Sequence, residues 1–133
     1  MAPLAVIDCE TTGLSSRDRI IEIAVVVLEP TTLEVVDEYD TLINPCRDVG
    51  PEHIHRINAS MVQAAPTFEE IAGDLADRLE DHVLVAHNLP FDVRMVRGEY
   101  ARLDAEFLVS GAVYTTCAKA PENPPPYFLK EPT

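Results

Sequence analysis

Positive charge is scarce in this chain. Two lysines (Lys119 and Lys130) and eight arginines face 23 aspartates and glutamates, for a net charge of −13. Proteins that grip long duplexes without sequence preference carry a basic footprint, because phosphate neutralisation supplies most of that affinity. Such a grip is therefore excluded here, whereas clustered acids remain able to bind cations that in turn bind phosphate. Cysteine is also sparse: Cys9, Cys46 and Cys117 are odd in number and form no C-x-x-C pair. Neither a disulfide framework nor a zinc site is expected, and a reducing, cytoplasmic setting follows. No apolar run is long enough to span a bilayer, and residues 1–8 lack the basic start and cleavage pattern of a signal peptide, so no membrane partner is expected.

What is present is a chain of 133 residues with 47% hydrophobic residues, enough for one domain with a real core. Leu4 to Asp8 reads as a short buried strand, closed by Thr12-Gly13, and Arg19 to Leu28 as an apolar strand interrupted only by Glu22. Leu33 to Ile43 alternates loosely, which predicts an antiparallel meander over residues 4–43. Residues 45–66 read mostly as loop, with a short helix near Asn58 to Gln63. Thr67 and Glu70 fit a capping box ahead of a helix whose Phe68, Ile71, Ala72, Leu75 and Leu79 share a face. His82 to Ala86 predicts a fourth strand, and Pro90 to Leu103 a second helix with Phe91, Met95, Val96, Tyr100 and Leu103 as its stripe. Gly111 to Cys117 predicts a fifth strand. The order β-β-β-α-β-α-β matches an α/β, ribonuclease H-like fold, a mixed five-stranded sheet flanked by helices. The expected division is a domain over residues 1–120 and a Pro-rich, extended tail over 121–133, where five prolines exclude a regular helix.

Three carboxylates stand out. Asp8 and Glu10 are two apart, so on a strand they project from one face. Asp92 falls in the first turn of the second helix, where the helix dipole favours a negative charge. If the fourth strand lies beside the first, the three converge on one spot and suit Mg²⁺ or Mn²⁺. Two such ions activate a water and stabilise the leaving oxygen of a phosphodiester, and the Thr11 and Thr12 amides with the Leu14 side chain can position a terminal nucleotide. Each feature also has a plain reading. A D-x-E pair is weak alone, Asn88 can simply cap the helix, and Glu22 reads as structural. His87 reads as a buried hydrogen-bonding residue near the site, and His53 and His55 as loop residues facing substrate or solvent.

Taken together, D-C-E-T-T-G-L (Asp8 to Leu14), R-I-I-E-I-A-V-V-V (Arg19 to Val27), L-I-N-P, I-H-R-I-N-A-S-M-V, P-T-F-E-E-I and V-A-H-N-L-P-F-D strongly resemble the DnaQ-like (DEDDh) 3′–5′ exonucleases, a family that includes the proofreading epsilon subunit of bacterial DNA polymerase III. The resemblance covers about residues 4–118. It implies two-metal hydrolysis of single-stranded DNA (or RNA) 3′ ends, with release of nucleoside monophosphates. It further implies Asp8, Glu10 and Asp92 as catalytic metal ligands and Thr11, Thr12, Gly13, Leu14, Asn88 and Phe91 as supports or contacts of the terminal nucleotide. The stretch His55 to Met61 would lie beside the site, and a DNA polymerase subunit is an implied partner. The family's last motif, H-x-x-x-x-D, is absent: no histidine follows His87, and the only aspartate after Asp92 is Asp104. Twelve residues along one helix are roughly 18 Å, too far to share a metal. The expectation is thus a C-terminally truncated exonuclease domain; completion by a second chain, and a non-catalytic module that binds nucleic-acid ends or a polymerase, stand as alternatives.

Overall fold

Alternating burial organises the first half of the molecule, as the period-2 side-chain geometry of a pleated strand requires. A computed structural model describes residues 2–107 and 114–115. Strand β1 (Leu4–Thr11) pairs antiparallel with β2 (Ile20–Leu28), and β2 with β3 (Val35–Leu42). Three helices follow, α1 (Glu52–His55), α2 (Ala59–Gln63) and α3 (Phe68–Leu79), and then β4 (Val83–Ala86), which runs parallel to β1. Helix α4 (Leu89–Arg102) leads to β5 (Tyr114–Thr115), parallel to β4, and the sheet order is β3-β2-β1-β4-β5.

This is the expected mixed five-stranded sheet. The meander, the Thr67 start and the neighbouring β1 and β4 stand where the sequence puts them. Glu70 Oε1 accepts from the Thr67 amide at 3.2 Å, one arm of the expected capping box. Two details differ. The first strand runs three residues past Asp8, so both acids lie within it, because β2 supplies backbone partners up to Thr11. The 45–66 region holds α1 as well as α2, a single turn ending at Arg56 in the left-handed conformation. The outer parts of the expected fifth strand and the 121–133 tail lie outside the described residues.

The core forms on one face of the sheet. Ala5, Ile7 and Cys9 of β1, Ile23, Val25 and Val27 of β2, and Leu84 and Ala86 of β4 meet Phe68, Ile71, Leu75 and Leu79 of α3 and Leu89, Val93, Val96 and Tyr100 of α4. Each fully buried side chain of this size contributes about 1.5–3 kcal/mol. The stripe of α4 differs from the expected one: Phe91 and Leu103 are only partly buried, while Asp92, Val93 and Glu99 are buried. A smaller cluster of Ile21, Val49, Ile57 and Val62 anchors the 44–63 segment to the end of the sheet.

A β-bulge connects the two clusters. Glu10 pairs with Glu22 but Thr11 with Ile20, so Ile21 is an extra residue on β2. Ile20 enters the main core and Ile21 the smaller one. The bulge is held by Glu99 of α4, which is 1% exposed. Its carboxylate accepts from Arg19 Nε at 2.8 and 3.0 Å and from the Ile20 amide at 2.9 Å, and Arg19 Nη2 lies 2.7 Å away. Truncating one partner of such a buried pair leaves an uncompensated charge. Arg19→Ala, which leaves the buried Glu99 carboxylate without its main partner, is therefore expected to lower unfolding stability by about 3–5 kcal/mol in a denaturant titration; a drop below about 1 kcal/mol would show that the pair does not hold α4 to the bulge.

Candidate active site

Asp8 and Glu10 stand on the sheet face opposite the helix-covered core. The alternation that buries Ile7 and Cys9 leaves Asp8 exposed and Glu10 half-buried. Asp92 approaches from the other side: it is 5% exposed, and its Oδ1 accepts from the Cys9 amide at 3.2 Å. One peptide unit thus separates the carboxylates of Asp8 and Asp92. Burial, reinforced by the charge of Asp8, pushes the Asp92 carboxyl from 3.8 up to about 6. Glu10 is also raised, first by burial and then by Asp8. Cys9 beside them is a poor nucleophile, its thiol held well above the usual range by burial and then by Asp92. Asp8 is thus the common electrostatic neighbour of Glu10 and Asp92. Among the described residues, however, no three acidic, histidine or cysteine groups stand close enough to form a ready-made metal cage.

The acids continue across the sheet. Glu22 lies directly opposite Glu10, and Asp40 on β3 lies opposite Ala24, which in turn is opposite Asp8. Burial raises the Glu22 carboxyl, with Asp40, Glu10 and Asp8 adding to the rise. Like charges paired across strands are destabilising, and the register sets Glu22 and Asp40 beside Glu10 and Asp8 on one acidic face. The sequence shows Glu22 in an apolar run, but only the register places it opposite Glu10 and brings Asp40 to the same face.

The T-T-G-L segment forms a tight turn beside these acids. The Thr12 amide donates to the Arg19 carbonyl at 2.9 Å, and Thr12 Oγ1 donates to Asp18 Oδ1 at 2.8 Å. Asp18 also accepts from the Ser15 amide and hydroxyl, and its carboxyl is lowered, above all by Thr12. A Cβ on Gly13 would lie 2.5 Å from Asp18 Oδ2, so only glycine lets this carboxylate close the turn. Thr11 and Thr12 are buried, and the Thr11 hydroxyl donates to the Gly13 carbonyl at 2.6 Å. Leu14 at the tip is 79% exposed.

Asn88 begins α4 without a side-chain capping bond, so its plain capping reading fails. His87 is exposed, not buried, because it follows the last strand residue, Ala86. Phe91 is half-buried, and the Arg94 guanidinium lies 5.5 Å from its ring centroid. Arg94 Nη2 also donates to the Leu14 carbonyl at 2.9 Å, joining Leu14 and Phe91 in one rim. Sequence reasoning missed Arg94, although its position three residues after Phe91, one turn along the helix, was the available signal.

His55 lies near enough to Glu10 to oppose the rise in that carboxyl. Both of its ring nitrogens are used: Nδ1 accepts from the Ile57 amide at 3.0 Å, which leaves Nε2 to donate to the Val49 carbonyl at 2.8 Å. His55 therefore shapes the loop. Met61 is exposed on α2, where its amide donates to Asn58 Oδ1 at 3.1 Å. The same loop meets the T-T-G-L turn at Gly50, whose φ is +79° and whose Cβ, if present, would collide with the Thr12 carbonyl. Asp104, past the end of α4, stands apart from Asp92 as the helix length requires.

Two outcomes follow. A carboxyl raised by folding binds its proton more tightly in the folded state, so metal-free stability should fall as pH rises from about 3.8 through about 6. The penalty above that window is on the order of 2–3 kcal/mol. Asp92→Asn keeps an acceptor for the Cys9 amide. It should raise metal-free stability at neutral pH by about 1–3 kcal/mol and remove that pH slope in thermal melts; a less stable variant would show the carboxylate to be compensated. Gly50→Ala should cost at least about 1–3 kcal/mol from its left-handed backbone, measured by denaturant titration, and an unchanged midpoint would contradict the close approach.

Comparison with known proteins points the same way. The sequence profile of the exonuclease family matches residues 5–110. The PolC-type DNA polymerase III of Thermotoga maritima is 39% identical over 99 residues, which are 72% of this chain and 7% of that protein. The 3′–5′ exonuclease DinG of Staphylococcus epidermidis is 31% identical over 110 residues, 80% of this chain and 12% of that protein. The chain thus spans only a small part of the length of these relatives. Exonuclease X, solved with 5′ overhanging duplex DNA, aligns with a TM-score of 0.59 at 34% identity, covering 70% of this chain and 53% of that one. E. coli Exonuclease I, solved with an oligonucleotide, has a TM-score of 0.72 at 16% identity, covering 80% and 25%, and shares the fold. The carboxylates on adjacent strand and helix, the T-T-G-L turn and these matches together place the chain in the DnaQ-like exonuclease family, with its ribonuclease H-like fold.

Proposed function

We propose that this domain is a 3′–5′ exonuclease module acting on single-stranded nucleic-acid 3′ ends, with DNA as the favoured substrate. The observation that carries the reading is the meeting of Asp92 with β1 between Asp8 and Glu10, where its carboxylate accepts from the Cys9 amide; the Glu10 and Asp92 carboxyls are both raised, first by burial and further by the charge of Asp8. That uncompensated repulsion is what a divalent cation relieves. The donor set is all carboxylate oxygen, as Mg²⁺ or Mn²⁺ prefers. A cation of this kind is commonly bound through one or two carboxylates, with substrate phosphate and water completing its shell. This accounts for a site in which no three protein ligands are gathered in advance among the described residues. Two cations held here by Asp8, Glu10 and Asp92 would supply an activated water and charge stabilisation at the leaving oxygen.

The chain's own residues bind and orient. Leu14, Phe91 and Met61 offer apolar surface to a terminal nucleotide, and the Thr11–Thr12 turn sets the distance of that surface from the carboxylates. Asn88 stands at the same rim with its side-chain amide unused in capping.

A second reading rests on one observation: the sequence holds no H-x-x-x-x-D after α4, and Asp104 is too distant to serve. On that reading the domain binds 3′ ends or a polymerase without cleaving. Loss of a general base alone costs about 10²–10⁴-fold.

Digestion of a 5′-labelled single-stranded oligonucleotide in Mn²⁺ separates the two. Stepwise shortening from the 3′ end with release of mononucleotides is expected. Asp8→Ala should reduce it by more than the ~10–100-fold typical of removing a group that merely supports a metal ligand. Oligonucleotide binding without shortening would select the non-catalytic end-binding module, and neither binding nor shortening would sink the exonuclease and end-binding readings, leaving only the polymerase-binding one.

A further inference from the structure

The scarce positive charge of this chain is concentrated in one place. Five of its eight arginines (Arg17, Arg19, Arg47, Arg94 and Arg102) lie in or against the segment 13–19, which begins where the T-T-G-L turn leaves the acids. Arg94 donates to the Leu14 carbonyl, Arg102 to the Ser16 and Asp18 carbonyls, and Arg47 to the Arg17 carbonyl. They converge from α4 and from the loop after β3, segments far apart in sequence. Arg17, Arg47, Arg94 and Arg102 are exposed. Among the described residues, the carboxylates that touch the group are Asp18, committed to Thr12 and Ser15, and the buried Glu99. Five guanidiniums against two carboxylates leave a positive rim on a chain of net charge −13.

Holding the loop explains part of this arrangement but not all of it. A guanidinium carries five N–H donors, and Arg47, Arg94 and Arg102 each spend one or two on a carbonyl. The Arg17 side chain spends none on the described part of the loop. We propose that this rim is the track for the sugar-phosphate backbone of the substrate strand behind its 3′-terminal nucleotide. The inference rests on the exonuclease reading and adds how an acidic protein holds its strand. Planar guanidinium forks match phosphate oxygens, and a few such pairings produce weak, salt-sensitive binding. Arg94 joins the two regions, since it touches both the Leu14 carbonyl and the Phe91 ring.

The test is binding of a short labelled oligothymidylate to the full chain by fluorescence anisotropy, in Ca²⁺, over a range of salt. For single strands the slope of log K against log salt drops by about 0.7 for each phosphate that the protein no longer neutralises. Arg17→Gln should therefore flatten the slope by about 0.7, and the Arg17→Gln/Arg47→Gln double variant by about 1.4. Because the Arg17 side chain holds no described residue in place, its replacement leaves the loop folded. Arg97→Gln removes the same charge from a residue whose Nε instead holds the Phe107 carbonyl, and it should keep the parent slope. Variants that retain the parent slope, while the parent binds, would overturn the track and leave the exonuclease reading standing. Equal flattening by Arg97→Gln would reduce the effect to net charge and overturn the track as well. A parent that binds no oligonucleotide would sink the exonuclease reading, and the track with it.

Discussion

A single buried carboxylate holds the parts of this molecule in register. Glu99 on α4 accepts hydrogen bonds from Arg19 and from the Ile20 amide at the start of β2. An ionised carboxylate removed from water is stable only with its partners in place, which makes the contact nearly all-or-none. It fixes how far α4 slides along the sheet. Seven residues earlier, about 10 Å along the helix, Asp92 then meets the Cys9 amide. The same contact steadies the bulge that sends Ile20 into one core and Ile21 into the other. With the apolar packing of α4 and of the smaller cluster, it sets where the Asp92 carboxylate and the 44–63 loop lie relative to Asp8 and Glu10.

Charge is segregated around that frame. Acids from three strands and one helix share the end and open face of the sheet, where burial and then neighbouring carboxylates raise Glu10, Glu22 and Asp92. Arginines from three separate segments gather on the loop next door. Each group alone would be unfavourable through self-repulsion. Adjacent to one another, they form the surface on which the proposed cation site and strand track rest. Net charge speaks against a sequence-independent grip on long duplexes, while the local arrangement of charges sets what this surface can hold.

The loop residues show how packing reassigns chemistry. His55 carries a titratable ring close to Glu10, yet both nitrogens are engaged by backbone groups of its own loop. His87 sits one residue from a buried strand and is nevertheless exposed. The strand ends at Ala86 as expected, and the very next side chain already faces solvent.

The sequence by itself determined the elements and the chemistry-bearing types. Apolar runs laid out β1 and β2 and a loose alternation β3, the Thr67–Glu70 pair marked the start of α3, and D-C-E-T-T-G-L with N-L-P-F-D identified the acids and their family. Those signals are local, written in spacings of two, three and four residues. The tertiary structure alone decided the rest: that Glu22 and Asp40 join the acidic face, that Arg94 ties Leu14 to Phe91, and that Glu99 clamps the bulge. These contacts join residues as many as 80 apart. They depend on strand register and helix placement, which no local pattern encodes.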